Sequence, residues 1–249
     1  MAHIIAHPGP RFRLPLLGMG RRLLSRVGCD CPLCGGRVAG ARLCRGCQAD
    51  ITAAPPGAPL RCSRCALRPP AGVPHCAACL GEARAFTRAL AAFDYEPPAD
   101  TLILMLKTQL RLSMAPVLAR LMAAAVRADA PLPADVLLVP IPASRASLRQ
   151  RGMNPAAEIA RSLAAELNLP APRHVLARRR ETPRQATLGR RARQRGAAGL
   201  FLCAGRVQGR HVAVVDDVMT TCSTANAAAV ALLAAGAASV TVLVAARTP

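Results

Sequence analysis

A chain of 249 residues with 33 basic and 13 acidic side chains carries a formal net charge of +20. That length holds one α/β domain of ordinary size plus a smaller module, and the charge favours nucleic acid or another polyanion. The aromatic residues, Phe12, Phe86, Phe93, Phe201 and Tyr95, are too few for an extended base-stacking platform.

Residues 1–28 read as a basic, disordered leader. Pro8, Pro10, Pro15 and several arginines interrupt it, and no clean apolar core or cleavage site marks a secretory signal. Its LPLLGMGRRLLSRV segment has the pattern of a short basic amphipathic helix as the alternative. The expected location is cytoplasmic, at most peripheral to the inner face of the membrane.

Residues 29–82 read as a double zinc-knuckle module. Eight of the eleven cysteines form four C-x2-C pairs: Cys31 with Cys34, Cys44 with Cys47, Cys62 with Cys65, and Cys76 with Cys79. The pairs repeat as two halves, and a tetrahedral four-cysteine site needs two such pairs. One or two structural zinc ions are expected, joined either sequentially within each half or interleaved between halves. The segment has few large apolar side chains, so metal ligation would supply most of its folding energy and chelation would melt it alone. Cys29, Cys203 and Cys222 are left over and read as thiols.

Residues 83–249 read as one α/β domain. RALAAFDY (88–95) is a predicted strand, and 100–127 has apolar residues at helical spacing with a break near Pro116. Lys107 is the single lysine, in a chain whose other 32 basic residues are arginine. That suggests a site for a compact point charge, set against chance survival of one codon. DVLLVP (135–140) is a second apolar strand, followed by a loop whose Arg145, Arg149 and Arg151 could meet a pyrophosphate. Asn154 and Pro155 then look like a helix start. Nine arginines between 173 and 199 form a surface run beside the expected phosphate site.

The stretch VAVVDDVMTTCST (212–224) carries the most chemistry. Val212 to Val215 read as a buried parallel strand with Asp216 and Asp217 at its carboxyl end. Open α/β sheets bind ligands at that end, and the following helix amino terminus offers free N–H groups to a phosphate. An ionised carboxylate only accepts hydrogen bonds, so two adjacent acids suit the neighbouring hydroxyls of a ribose. Thr220, Thr221, Ser223 and Thr224 supply hydroxyls for the phosphate. From Val218 to Ala246 no residue is charged, but this reads as helix 225–235, a turn at Gly236 and a buried strand, not a membrane span.

Residues 212–224 resemble the phosphoribosyl-pyrophosphate (PRPP) motif of type I phosphoribosyltransferases, with Cys222 standing where that pattern has glycine. Together with the knuckles, Tyr95, Pro98, Leu106-Lys107, VPIP (139–142), Arg145, the RGMNPA box (151–156), Arg178, Arg180, Thr182 and Gln185, the chain resembles the ComF/GntX family from about residue 31 to its end. Met153 and Pro155 depart from the family's usual Phe and Gln. The resemblance implies a type I phosphoribosyltransferase fold, a parallel sheet with helices on both faces, preceded by a small Cys-rich zinc-binding module. It implies that Asp216 and Asp217 hold the ribose hydroxyls and that Thr220, Thr221, Cys222, Ser223 and Thr224 wrap the 5′-phosphate. Lys107, Arg145, Arg149 and Arg151 become pyrophosphate candidates, with magnesium accompanying PRPP. Two functions follow as expectations: handling of imported single-stranded DNA in natural transformation with other competence proteins, or transfer of a pentosyl group from PRPP to an unidentified acceptor.

Overall fold

The computed structural model describes residues 27–54, 61–69, 73, 76–81, 84–129, 131–179 and 199–249. The leader through residue 26, and Arg180, Thr182 and Gln185 of the arginine run, lie outside the described residues.

The cysteine segment folds as two similar turns. β1 (Gly28–Asp30) and β2 (Arg37–Ala39) pair antiparallel around the first knuckle, and α1 (Arg45–Thr52) carries Cys47. The second half contains α2 (Ala77–Gly81), which carries Cys79. The residue after each leading knuckle is left-handed, Gly35 at φ 74° and Ala66 at φ 56°. Matching hydrogen bonds close both turns, from Gly35 N to Cys31 O and from Ala66 N to Cys62 O, each 2.8 Å. Glycine takes that backbone freely, whereas Ala66 adopts it at a cost of roughly 1 kcal/mol.

The rest is a parallel α/β unit. β3 (Arg88–Asp94) leads through α3 (Asp100–Lys107) and α4 (Met114–Ala128) to β4 (Leu137–Pro140). α5 (Arg145–Arg151), α6 (Pro155–Glu166) and an antiparallel pair, β5 (Leu176–Arg178) with β6 (Phe201–Cys203), precede β7 (His211–Met219). α7 (Ser223–Ala234) then crosses to β8 (Ser239–Arg247). The sheet order is β3-β8-β7-β4 and every pairing is parallel. Its two central strands, covered on both faces, are the longest in the chain at nine residues each and are mostly apolar, as a parallel sheet requires.

Alternation along the strands divides the core. Ala213, Val215, Leu243 and Ala245 face the layer of α4 and α6, where Leu118, Met122, Ile159 and Leu163 are fully buried. Val212, Val214, Val240, Val242 and Val244 face α7 and the β5–β6 pair. The cysteine halves take opposite sides. Cys31 and Leu43 pack into the first core, whereas Cys62, Cys65, Cys76 and Cys79 pack into the second. The segment, poor in large apolar residues, shares both cores of the sheet. Asp94 at the end of β3 clamps the second half, receiving Arg61 Nη1 at 2.6 Å and Arg68 Nε at 2.9 Å. Burial alone would raise the Asp94 carboxyl, but these two guanidiniums outweigh it and lower it.

Two local expectations shift. The helical stretch 100–127 divides at 108–113, where Leu110 is left-handed at φ 54°, and Pro116 sits harmlessly in the first turn of α4. Arg145, Arg149 and Arg151 lie on a helix instead of a loop. Ser144 caps it by accepting from Ser147 N at 3.1 Å, and Gly152 ends it at φ 70°. The uncharged stretch from Val218 to Ala246 divides into the end of β7, α7 and β8, with Gly236 at φ 88° between the last two. The left-handed backbone is what favours glycine there, since a Cβ would meet only the end of the Gln208 side chain, which can turn aside. Among the described residues no helix is long and apolar enough to cross a membrane.

Candidate functional site

The carboxyl end of β7 runs past its neighbour. Pairing with β4 stops at Pro140 opposite Val215, so the acids that follow border the crevice beyond the β4 edge. Asp216 and Asp217 each accept a hydrogen bond from the next backbone N–H, Asp217 N at 2.9 Å and Val218 N at 2.7 Å. Successive strand residues point to opposite faces, and the two acids separate accordingly. Asp217 is buried against α3, where Lys107 Nζ meets its Oδ2 at 2.9 Å. Asp216 lines a small cavity with Thr220, Thr221, Cys222, Ser223 and Thr224. Sequence spacing gives no sign that Lys107 and Asp217 meet, because the contact is made by the fold.

Asp216 is half-buried. Burial pushes it up to about 7, the charge of Asp217 adds to the rise, and Lys107 opposes it. Arg178 also lies close enough to lower it. That residue stands on β5, with its guanidinium 5.3 Å from the Phe201 ring centre. Among the sequence features it counted only as part of a resemblance and an arginine run. A raised acid binds its proton more readily in the folded chain than in the unfolded one. Stability is therefore expected to fall as pH rises from about 4 to about 7, and Asp216→Asn should flatten that slope in pH-dependent urea melts.

The loop after β7 is short and its hydroxyls are gathered. Thr221 Oγ1 and Ser223 Oγ lie 2.8 Å apart, and α7 starts at Ser223 with Cys222 as its cap residue. Cys222 is left-handed at φ 64° and buried, so a cysteine occupies the conformation that the glycine of the PRPP motif would take without strain. The first-turn N–H groups of α7 point into the same end of the sheet as Asp216. Arg145 and Arg149 stand exposed on α5 and Arg151 is half-buried at its end, on the element that follows the β4 carboxyl terminus.

The cysteines resolve into two groups, Cys31, Cys34, Cys44 and Cys47, and Cys62, Cys65, Cys76 and Cys79, with the sulfurs of each all within 4.8 Å. Pairing is thus sequential within each half. Cys34 and Cys44 sulfurs are 3.6 Å apart and those of Cys65 and Cys76 are 3.4 Å apart. Tetrahedral zinc with Zn–S bonds of about 2.3 Å sets sulfurs roughly 3.8 Å apart, so both groups fit the ion. Backbone N–H groups of Gly36, Cys44 and Cys47 donate to Cys34, Cys31 and Cys44 sulfur, each at 3.4 Å. Burial alone would raise Cys31, but N–H donors from Cys44, Cys34 and Leu33 outweigh it and bring the thiol down to about 6. Cys47, Cys65, Cys76 and Cys79 are raised instead, by hydrogen bonds among the thiols and by burial, so a metal would bind them by displacing their protons.

Three relatives decide the family. The "DNA utilization protein YhgH" of Salmonella typhi is 35% identical over 192 residues, covering 75% of this chain and 84% of that protein. The protein of the same name from Escherichia coli strain K12 is 34% identical over the same shares. "Competence protein F" of Haemophilus influenzae is 30% identical over 191 residues, 74% of this chain and 81% of its own length. The chain belongs to the ComF family. No protein-family model matches it. As the ComF resemblance implies, the α/β unit has a parallel sheet flanked by helices and follows a segment with two four-cysteine clusters.

Proposed function

We propose that this ComF-family protein binds PRPP or a related phosphorylated ribose at the carboxyl end of β7 and serves DNA handling in natural transformation. The observation that carries the reading is the run of Asp216 and Asp217 into a hydroxyl loop and helix start, with Lys107 2.9 Å from Asp217. In this reading Asp216 and Asp217 accept from the ribose hydroxyls. Thr220, Thr221, Ser223 and Thr224, with the backbone around Cys222, hold the 5′-phosphate. Lys107, Arg145, Arg149 and Arg151 face the pyrophosphate. Magnesium bound with PRPP would shield its phosphates.

Ionised carboxylates are needed for the ribose contacts. Asp216 sits at about 7, so PRPP affinity should rise as pH increases through that value and level off above it. Calorimetric titrations across pH check this, and an affinity flat from pH 6 to 8 would remove Asp216 from the ribose contact.

The role in DNA handling rests on the names of the relatives, on the net charge of +20 and on the four-cysteine clusters. Single-stranded DNA, and other proteins of the competence machinery, are the partners proposed. Binding through arginine makes affinity salt-dependent. About three phosphate contacts, at a slope of ~0.7 each, weaken it roughly 20-fold between about 50 and about 200 mM salt. Fluorescence anisotropy with a labelled oligonucleotide measures this, and a flat salt dependence would remove the arginines from the interface.

Pentosyl transfer is the second reading. It is favoured by Lys107, a compact cation held beside the paired acids, where a departing pyrophosphate would gather its charge.

A further inference from the structure

We propose that the second four-cysteine cluster and the phosphate loop are one mechanical unit, in which a metal at Cys62, Cys65, Cys76 and Cys79 positions Cys222 and so the loop. The phosphate role of the loop is the reading given above. The link between loop and cluster stands on contacts of its own.

Cys222 supplies the first contact. Its backbone is left-handed at φ 64°, it is 4% exposed, and it packs into the same core as Cys62, Cys65, Cys76 and Cys79, lining one cleft with Cys65 and Cys76. A side chain in that conformation costs roughly 1 kcal/mol, and burial of the thiol beside the cluster offsets it. Glycine at this position would have no side chain to make the contact.

Arg247 supplies the second. Its guanidinium is buried, and Nε donates to Cys65 O at 3.0 Å while Nη1 donates to Met219 O at 3.1 Å. Met219 is the last residue of β7, three positions before Cys222. The loop is thus tied to the Cys65 knuckle through Arg247 at its start and packs against the same cluster through Cys222 at the start of α7.

A third tie runs from the chain just beyond the cluster, where Ala85 N donates to Asn226 Oδ1 of α7 at 2.8 Å. Between loop and cluster lies a cleft of about 500 Å³ with Cys65, Cys76, Thr220, Thr221 and Cys222 among its lining residues. With metal bound, Cys222 packs beside the ligand Cys65 as part of the ion's outer shell. Linkage then runs both ways, because a ligand that settles the loop must also tighten the metal. The first cluster packs against the opposite face of the sheet and serves as the internal control.

Pulsed alkylation read by mass spectrometry tests this on the zinc-loaded full chain in excess chelator, because it follows each cysteine separately. Cys222→Gly keeps the left-handed backbone, so the variant should fold. It should speed loss of protection at Cys62, Cys65, Cys76 and Cys79 about tenfold, the lower end of the usual outer-shell effect, and leave Cys31, Cys34, Cys44 and Cys47 unchanged. Magnesium-PRPP should slow loss at the second cluster in the unaltered chain and not in the variant. Equal second-cluster rates in the two proteins overturn the proposal, whether or not PRPP binds. Faster loss in Cys222→Gly with no effect of PRPP on either protein upholds the tether and instead removes the phosphate reading.

Discussion

Chelation of the zinc-loaded chain is expected to lower the thermal midpoint of the whole protein, sheet included, by at least about 10 °C. Structural zinc contributes about 10–16 kcal/mol in isolated finger peptides, as much as the entire stability of an ordinary domain. In a separable module that energy would stay local. Here Cys31 and Leu43 share a core with Phe93, Leu118 and Ile159, and the second cluster shares one with Val139, Val214 and Val242. Transmission of only a third of one ion's contribution, roughly 4 kcal/mol, accounts for the shift at about 2–4 °C per kcal/mol. Hydrogen exchange would show protection falling in β7 and β8 as well as around the knuckles. Loss confined to residues 27–81, with an unchanged midpoint for the sheet, would show that the shared cores carry little of the metal's energy.

Replacement of Asp216 by asparagine should separate binding from folding. The change keeps the shape of the side chain and removes a carboxylate whose charge is disfavoured by burial and by Asp217. Folding stability at pH 8 should therefore hold or rise, since the folded chain no longer confines that charge. Affinity for PRPP should fall roughly 10- to 100-fold, because a hydrogen bond to a charged acceptor contributes roughly 1.5–3 kcal/mol and Asp217 keeps its own share of the ribose contacts. Thermal melts beside calorimetry on the same preparation distinguish the effects. A stable variant with full affinity would show that Asp216 does not hold the sugar.

What the sequence discloses depends on how far apart the interacting residues lie. The strand, acid and hydroxyl order of 212–224 is legible because those residues are contiguous, and β8 because an unbroken apolar run in an α/β pattern has one natural place in a sheet. Cysteine pairing is not legible, since equal C-x2-C spacing allows sequential and interleaved clusters alike. It takes the folded turns at Gly35 and Ala66 to close each half on itself. The Lys107 contact with Asp217 is equally hidden, because it depends on how α3 crosses the sheet. α5 is a different case: Ser144 before the arginines and Gly152 after them are cap signals that mark a short helix. The Cys222 substitution is visible in the sequence, but the cluster it packs beside lies far away in the chain and comes near it only through the second core.

Titration of magnesium-PRPP into the zinc-loaded, unaltered chain tests the site at the end of β7 most directly. Saturable heat at one site per chain is expected, weakened below pH 7 as Asp216 takes up its proton. An absence of heat at every pH and at millimolar PRPP would contradict it, leaving the strand-end acids as part of the fold and DNA or a protein partner as the ligand to seek.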